Sequence, residues 1–475
     1  MSPQKKIGVL GLTTMVFGSM IGSGIFNIPQ NIAVKSALGP VIIAWIITGI
    51  GMLSLAFVFK ILTEQRPELN IGIYSYAKEG FGTFVGFNSA WGYWLTSITG
   101  NVAFAIMLND SLGHYFPVLL NHGLPTVLLG LALIWIYNFI ITRGIQQASS
   151  LNTITVIIKF IAILAIICMY VIYTHIDFKN IDLWGAKDHL GSVWSQIKAP
   201  MLVTVWCFIG IEGAVVVSNH AKRKKDIGIA TLIGFLVALI LYVTISILPY
   251  AIISQPQLAN LPDPSTAYVL DTLVGSWFTK FVTLSVLISI GGVWVAWTIL
   301  MAQLPYAAAL DGTFPKIFAK ENTKKVPSMA LTISSAIMSL FLLLAITAKD
   351  VYLESVNITS VIILPSYLLS AMYLCKIASR KEIYAQHRTK CRMSLAVGII
   401  ATLYCCWLVY SAGFTYLFVA SILYAIGIIP FYIARRQQGY HFKQIFPFKD
   451  AILAILIILF ACVATVLVTL GDITL

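Results

Sequence analysis

Charged side chains are scarce in this chain: Asp, Glu, Lys and Arg make up 10% of its 475 residues, where an ordinary soluble domain carries about a quarter. With 59% of the residues hydrophobic, a water-soluble fold is excluded. There is no Pro/Ser-rich linker and no long polar insertion, so residues 1–475 read as one integral membrane domain without a separate catalytic unit. Cysteine is sparse. Cys168, Cys207, Cys375, Cys391, Cys405, Cys406 and Cys462 fall in or beside apolar runs, without the paired spacing of a disulfide framework, so free thiols and no metal site are expected. No histidine lies near Glu212 or Ser23 in sequence except His220, beside Lys222. A membrane enzyme, which needs a nucleophile–base pair or metal ligands at membrane depth, is therefore not expected. A cleavable leader is not expected either: Lys5 and Lys6 precede the first apolar run, but that run is too long for a leader and has no small-residue cleavage site.

What is abundant is apolar sequence. Runs able to cross about 30 Å of hydrocarbon, which takes about 20 helical residues, lie near 7–34, 39–60, 83–109, 124–142, 151–173, 199–219, 228–253, 274–308, 328–347, 351–375, 393–411, 413–433 and 451–470. The chain therefore reads as an all-α polytopic membrane protein of twelve to thirteen spans.

Basic residues orient it, because loops rich in Lys and Arg stay in the cytoplasm during insertion. With the N-terminus inside, the inner loops collect most of the 31 Lys and Arg residues, including Lys60, Arg66, Lys78, Arg143, Lys222–Lys225, Lys316, Lys320, Arg380 and Arg435. The outer loops hold only Lys35, Lys179, Lys187, Lys198 and Lys349. The formal net charge of +13 follows from these juxtamembrane loops and from anionic lipid headgroups, and no nucleic-acid partner is implied.

Glycine crowds two spans, the first at Gly18-Ser19-Met20-Ile21-Gly22-Ser23-Gly24 and the sixth at Cys207-Phe208-Ile209-Gly210-Ile211-Glu212-Gly213. Glycine-interrupted helices at matching positions of two halves point to a binding site at the membrane midplane, since bare backbone at that depth is tolerated only where it lines a cavity. Half-helix N-termini suit a carboxylate and C-terminal ends suit an ammonium, and an α-amino acid has both. A single motif of this kind would read as a small-residue packing surface; two matched motifs, one with an intramembrane glutamate, favour binding.

Ionisable groups at membrane depth are functional candidates. Glu212 is the carboxylate placed well inside a span, and Lys159 sits deep in the fifth, where an ammonium can stand in for a bound cation. Lys280 lies nearer a span end, where snorkelling explains it. Trp206, Trp294 and Trp297 offer indole faces to a cation, worth roughly 0.5–2 kcal/mol each. Tyr93, Ser97 and Asn101 share one helix face by their i, i+4, i+8 spacing.

These stretches, with Trp91-Gly92-Tyr93-Trp94-Leu95, Gly100-Asn101, Val205-Trp206, Ala307-Ala308-Ala309 and Asp311-Gly312, resemble the basic amino acid/polyamine antiporters of the amino acid–polyamine–organocation superfamily. The likeness runs from about residue 5 to 435 and is strongest to bacterial arginine–ornithine antiporters. It implies a five-plus-five inverted-repeat transporter fold with broken first and sixth helices, repeats near 7–173 and 199–375, and further helices over 393–470. By the same resemblance Met20, Gly22, Ser23 and Gly24 hold the substrate's carboxylate and amino group with Ile209 opposite. Trp206 and Trp297 cover its cationic side chain, Ser97 and Asn101 meet its distal end, and Tyr93, Glu212 and Tyr367 gate it. Tyr367 stands one residue further from Pro365 than the family pattern has it. Lys159 is similar to the lysine that takes the place of sodium in sodium-coupled relatives.

The expected function is exchange of cationic amino acids, arginine for ornithine, by alternating access in a bacterial inner membrane. Arginine–agmatine exchange and a lysine or histidine permease are the alternatives, and a channel is disfavoured by the matched broken helices. No cofactor is implied; the partners are small cationic amino acids and membrane lipid, with a homodimer as the candidate assembly.

Overall fold

The computed structural model describes residues 8–69, 71–113, 115–121, 123–173, 181–216, 221–345, 351–384 and 386–470. Lys5, Lys6, Lys179, His220 and Lys349 lie outside them.

In chain order the helices are α1 (Val9–Met20), α2 (Gly24–Ala33), α3 (Leu38–Gln65), α4 (Ile73–Phe81), α5 (Thr83–Gly113), α6 (Leu124–Thr142), α7 (Ile145–Tyr173), α8 (Val193–Lys198), α9 (Met201–Trp206), α10 (Gly213–Val216), α11 (Lys224–Ile247), α12 (Gln255–Ala259), α13 (Ser265–Val274), α14 (Ser276–Leu310), α15 (Ser328–Ala345), α16 (Val351–Ser379), α17 (Arg388–Arg436), α18 (Phe442–Ile445) and α19 (Phe448–Leu470). Among the described residues there is no strand. Helices are what membrane depth demands, because each closes its own backbone hydrogen bonds where no water can.

Eight of these helices are long and apolar enough to cross a membrane, or nine when the bent pair α1–α2 counts as one span. The remaining expected spans differ from these for physical reasons. Helix α5 is 31 residues long but carries a run of polar residues that it buries against other helices. Helix α15 is short, and the sixth span is split between α9 and α10. Helix α17 is two helices meeting at Gly413, whose φ of 73° lies outside the helical region, so the expected break near 412 is present. Helix α5 extends past the expected end of its span and so takes in Asp110, which is buried, as Glu212 and Asp226 are.

Both broken spans part where the glycines stand. Helices α1 and α2 meet at 42°, and α9 stops at Trp206 with residues 207–212 in turns before α10. Gly210 has φ 111°, a left-handed region that only glycine enters without strain.

The broken helices sit at the centre. Helix α1 packs on α11, α7 and α14, while α5 packs on α16 and α14, and α3 on α11 and α17. Helix α19 lies against α17 and buries only Ala454, Ala461 and Ala464, so most of its surface is an apolar face for lipid.

Loops assigned to a common side by charge meet one another. Lys78 pairs with Asp311, Arg66 with Glu382 at 2.7 Å, and the Lys324 ammonium donates to the Arg143 carbonyl at 2.7 Å. At the opposite end Ser36 donates to the Gln196 carbonyl at 2.6 Å, and the Gly39 N–H donates to the Leu183 carbonyl at 2.8 Å. Lys280 is exposed at its helix surface, in keeping with snorkelling.

Candidate functional site

Breaking a helix frees carbonyl oxygens that must find donors. Between α1 and α2 each one from Gly18 to Gly22 finds a side chain. Lys159 on α7 donates to Gly18 at 2.8 Å and also to Ile21. Trp297 Nε1 on α14 donates to Ser19 at 3.0 Å, the Tyr242 hydroxyl on α11 to Met20 at 2.8 Å, and Ser289 to Gly22 at 3.3 Å. Lys159, fully buried, thus sets its Nζ at the negative end of the first half-helix.

The other side of the break is different. Ser23 at the start of α2 makes no side-chain cap; its buried hydroxyl sits 3.2 Å from the Tyr352 hydroxyl instead. The first-turn N–H groups of α2 therefore stand beside a cavity with the partial positive charge that binds an anionic group.

That cavity measures about 20 Å³ and is lined by Ser19, Met20, Gly22 and Gly24 of the first span, Trp206 and Ile209 of the sixth, Trp297 of α14, and Thr96, Gly100, Phe104 and Thr359. Its size is room for about one water. The Trp206 ring lies directly over Gly24, where an added Cβ would stand 2.6 Å from the indole Nε1. The same ring packs on Phe104 with centroids 5.7 Å apart. The site is walled by aromatic faces and backbone, and no carboxylate is among the lining residues.

To one side lies a polar layer. The Tyr367 hydroxyl donates to Glu212 Oε2 at 2.7 Å, the Gly210 N–H reaches the same oxygen at 3.3 Å, and Tyr93 is the second phenol beside this carboxylate. All three side chains are fully buried. The Tyr93 ring stands 6.0 Å from that of Trp297, which joins the layer to the cavity wall.

Most of the expected site residues thus come together. Met20, Gly22, Gly24, Trp206, Ile209 and Trp297 line the cavity, and Tyr93, Glu212 and Tyr367 form the neighbouring layer. Ser23 stands just outside the lining, bonded to Tyr352. Ser97 and Asn101 are buried but lie off the cavity wall: Ser97 donates to its own helix at the Tyr93 carbonyl, 2.9 Å away, and the Asn101 amide points to the Met301 sulfur at 3.7 Å. The adjacent face of α5, with Thr96, Gly100 and Phe104 at the same i, i+4, i+8 spacing, meets the cavity instead. Trp294 stacks on Tyr137 at 4.8 Å, away from it. Sequence reasoning missed Thr96, Phe104, Thr359 and Tyr352, and nothing local in their sequence marks them.

A family model described as amino acid permease matches residues 7–420. An arginine/agmatine antiporter of Chlamydia pneumoniae is 42% identical over 476 residues, covering 99% of this chain and 98% of that protein. Another from Chlamydia felis (strain Fe/C-56) is 44% identical over 454 residues, covering 94% and 93%. Among solved structures, MhsT in complex with L-phenylalanine overlays with a TM-score of 0.60 at 13% identity, covering 87% of this chain and all of that one. A nucleobase-cation-symport-1 family transporter in a closed conformation gives 0.53, also at 13% identity, over 87% and 96%. At that identity the overlay speaks for the fold alone, the inverted-repeat transporter fold.

Proposed function

The chain belongs to the amino acid permease family, a family of membrane transporters and not of enzymes, and on that premise we propose that it exchanges arginine for agmatine across a bacterial inner membrane, with its N-terminus in the cytoplasm. Amino acid antiport is the function its relatives carry. The choice of agmatine over the ornithine expected from the residues rests on the names of those relatives, both arginine/agmatine antiporters.

The observation that carries the reading is the cavity between the two broken spans, bounded by uncapped N–H groups of α2 on one side and by Trp206, Trp297 and Phe104 on the other. In the proposed mode the substrate carboxylate takes the backbone N–H groups at Gly22, Ser23 and Gly24, where the chain enters α2, with Met20 and Ile209 flanking the α-carbon. The guanidinium lies on the indoles, each cation–π contact contributing roughly 0.5–2 kcal/mol. A cation held by ring faces without a fixed counter-charge can leave again. Agmatine lacks the carboxylate and so depends on the aromatic contacts. Glu212, with Tyr93 and Tyr367, forms the gate on one side, and Lys159 supplies the positive charge that sodium gives in other carriers.

Labelled arginine uptake into vesicles preloaded with agmatine, ornithine, lysine or nothing tests this. Agmatine is expected to stimulate most. Best stimulation by ornithine would refute the counter-substrate, and uptake into empty vesicles as fast as into loaded ones would refute antiport.

A further inference from the structure

Above the cavity, on the side of Ser23 and Tyr352, the α12–α13 segment lies across α2 and is tied to it residue by residue. The Gln30 amide donates to the Ala259 carbonyl at 3.3 Å, the Gln30 N–H to Ser265 Oγ at 3.3 Å, and the Ser265 N–H to Asn27 Oδ1 at 2.9 Å. Asn27, fully buried one turn beyond Gly24, donates through its Nδ2 to the carboxylate of Asp263. Asp263 also acts electrostatically on Tyr352, whose hydroxyl is the neighbour of Ser23. A half-buried carboxylate therefore stands in the layer that must part before anything reaches the cavity from this side.

Two further acidic groups stand on neighbouring helices. Asp271 on α13 accepts from Thr279 at 3.2 Å, and Glu354 on α16 accepts from Tyr416 at 3.2 Å. The cavity itself is lined by no carboxylate, and on this side the carboxylate tied to α2 is that of Asp263.

We propose that Asp263 is a specificity residue for cationic substrates on the α12–α13 side: it holds Asn27 while the layer is closed and receives the guanidinium or ammonium of an incoming substrate as the layer opens. A group of this kind raises the local concentration of cations and their capture rate, and acts before the aromatic site, where charge is read only weakly. The inference rests on the proposed cationic substrate. It adds a one-sided feature, because the Glu212 layer borders the cavity elsewhere and Asp263 bears on entry from one face alone.

The test is Asp263→Asn, whose amide oxygen can still accept from Asn27 while the carboxylate charge is removed. Exchange is measured in whole cells for the outer face and in inside-out vesicles for the inner face, with arginine and agmatine each varied at low and at high salt. The expected result is a KM on the α12–α13 side raised about three- to ten-fold for arginine and further for doubly charged agmatine, the difference shrinking at high salt. The opposite-face KM, kcat and the Asp271→Asn control stay at wild-type values. An unchanged KM on both faces, or an equal rise on both faces independent of salt, overturns the proposal. Wild-type protein that fails to transport arginine at all refutes the functional reading instead, so the two failures are told apart.

Discussion

The Lys159 ammonium on α7 lies 2.8 Å from the carbonyl oxygen of Gly18 at the end of the first half-helix, a residue 141 positions earlier in the chain. It also reaches Ile21, so one side chain bridges the point where the helix stops and the point where the chain turns. A cation at a helix C-terminus is electrostatically favoured, and at membrane depth no water replaces it.

Replacing Lys159 by Ala leaves both carbonyls without this donor, at roughly 1–3 kcal/mol per unsatisfied group. Lower thermal stability in detergent and loss of most arginine exchange are expected, with the protein still inserted. Wild-type melting and exchange in that variant would deny Lys159 its place at the break.

Trp297 has two separable roles, a ring in the cavity wall and an N–H donated to Ser19. Trp297→Phe keeps a ring and removes the donor, whereas Trp297→Ala removes both. Arginine affinity should fall about ten-fold or more in the Ala variant and by a smaller factor in the Phe variant, as read by isothermal calorimetry. Equal losses would assign the whole effect to the hydrogen bond.

Glu212→Gln preserves an acceptor for the Tyr367 hydroxyl and removes the charge. Turnover in loaded vesicles should drop at least about ten-fold while the arginine dissociation constant moves by less than about three-fold, because a gate acts on passage and not on the bound state. A variant that binds arginine poorly but turns over normally would make Glu212 a binding group.

Gly210 adopts φ 111°, and a Cβ there would stand 2.7 Å from Ser19 Oγ. Gly210→Ala should therefore destabilise the protein by about 1–3 kcal/mol and prise the two broken spans apart. Its melting temperature and its arginine exchange report the two effects separately, and an Ala variant equal to wild type in both would remove the steric argument.

The spans were legible because membrane depth forces apolar runs of helical length: 124–142 is met to the residue by α6, and the pause near residue 412 by Gly413. The broken helices were legible through Gly22, Gly24 and Gly210, since unwound backbone needs glycine. The rotation of α5 was not. Its periodicity marks a buried polar face at Tyr93, Ser97 and Asn101, yet a shift of one position, about 100° of turn, decides that Thr96, Gly100 and Phe104 meet the cavity. Partners distant in sequence were also hidden: Tyr352 beside Ser23 and the Lys159 contacts to α1 depend on how helices stack, which no local pattern encodes.

The Trp206 ring is seated on Gly24 and packs on Phe104, so one side chain of the sixth span touches both the first span and α5. The width of the cavity between the two broken spans is therefore set by the angle of a single ring.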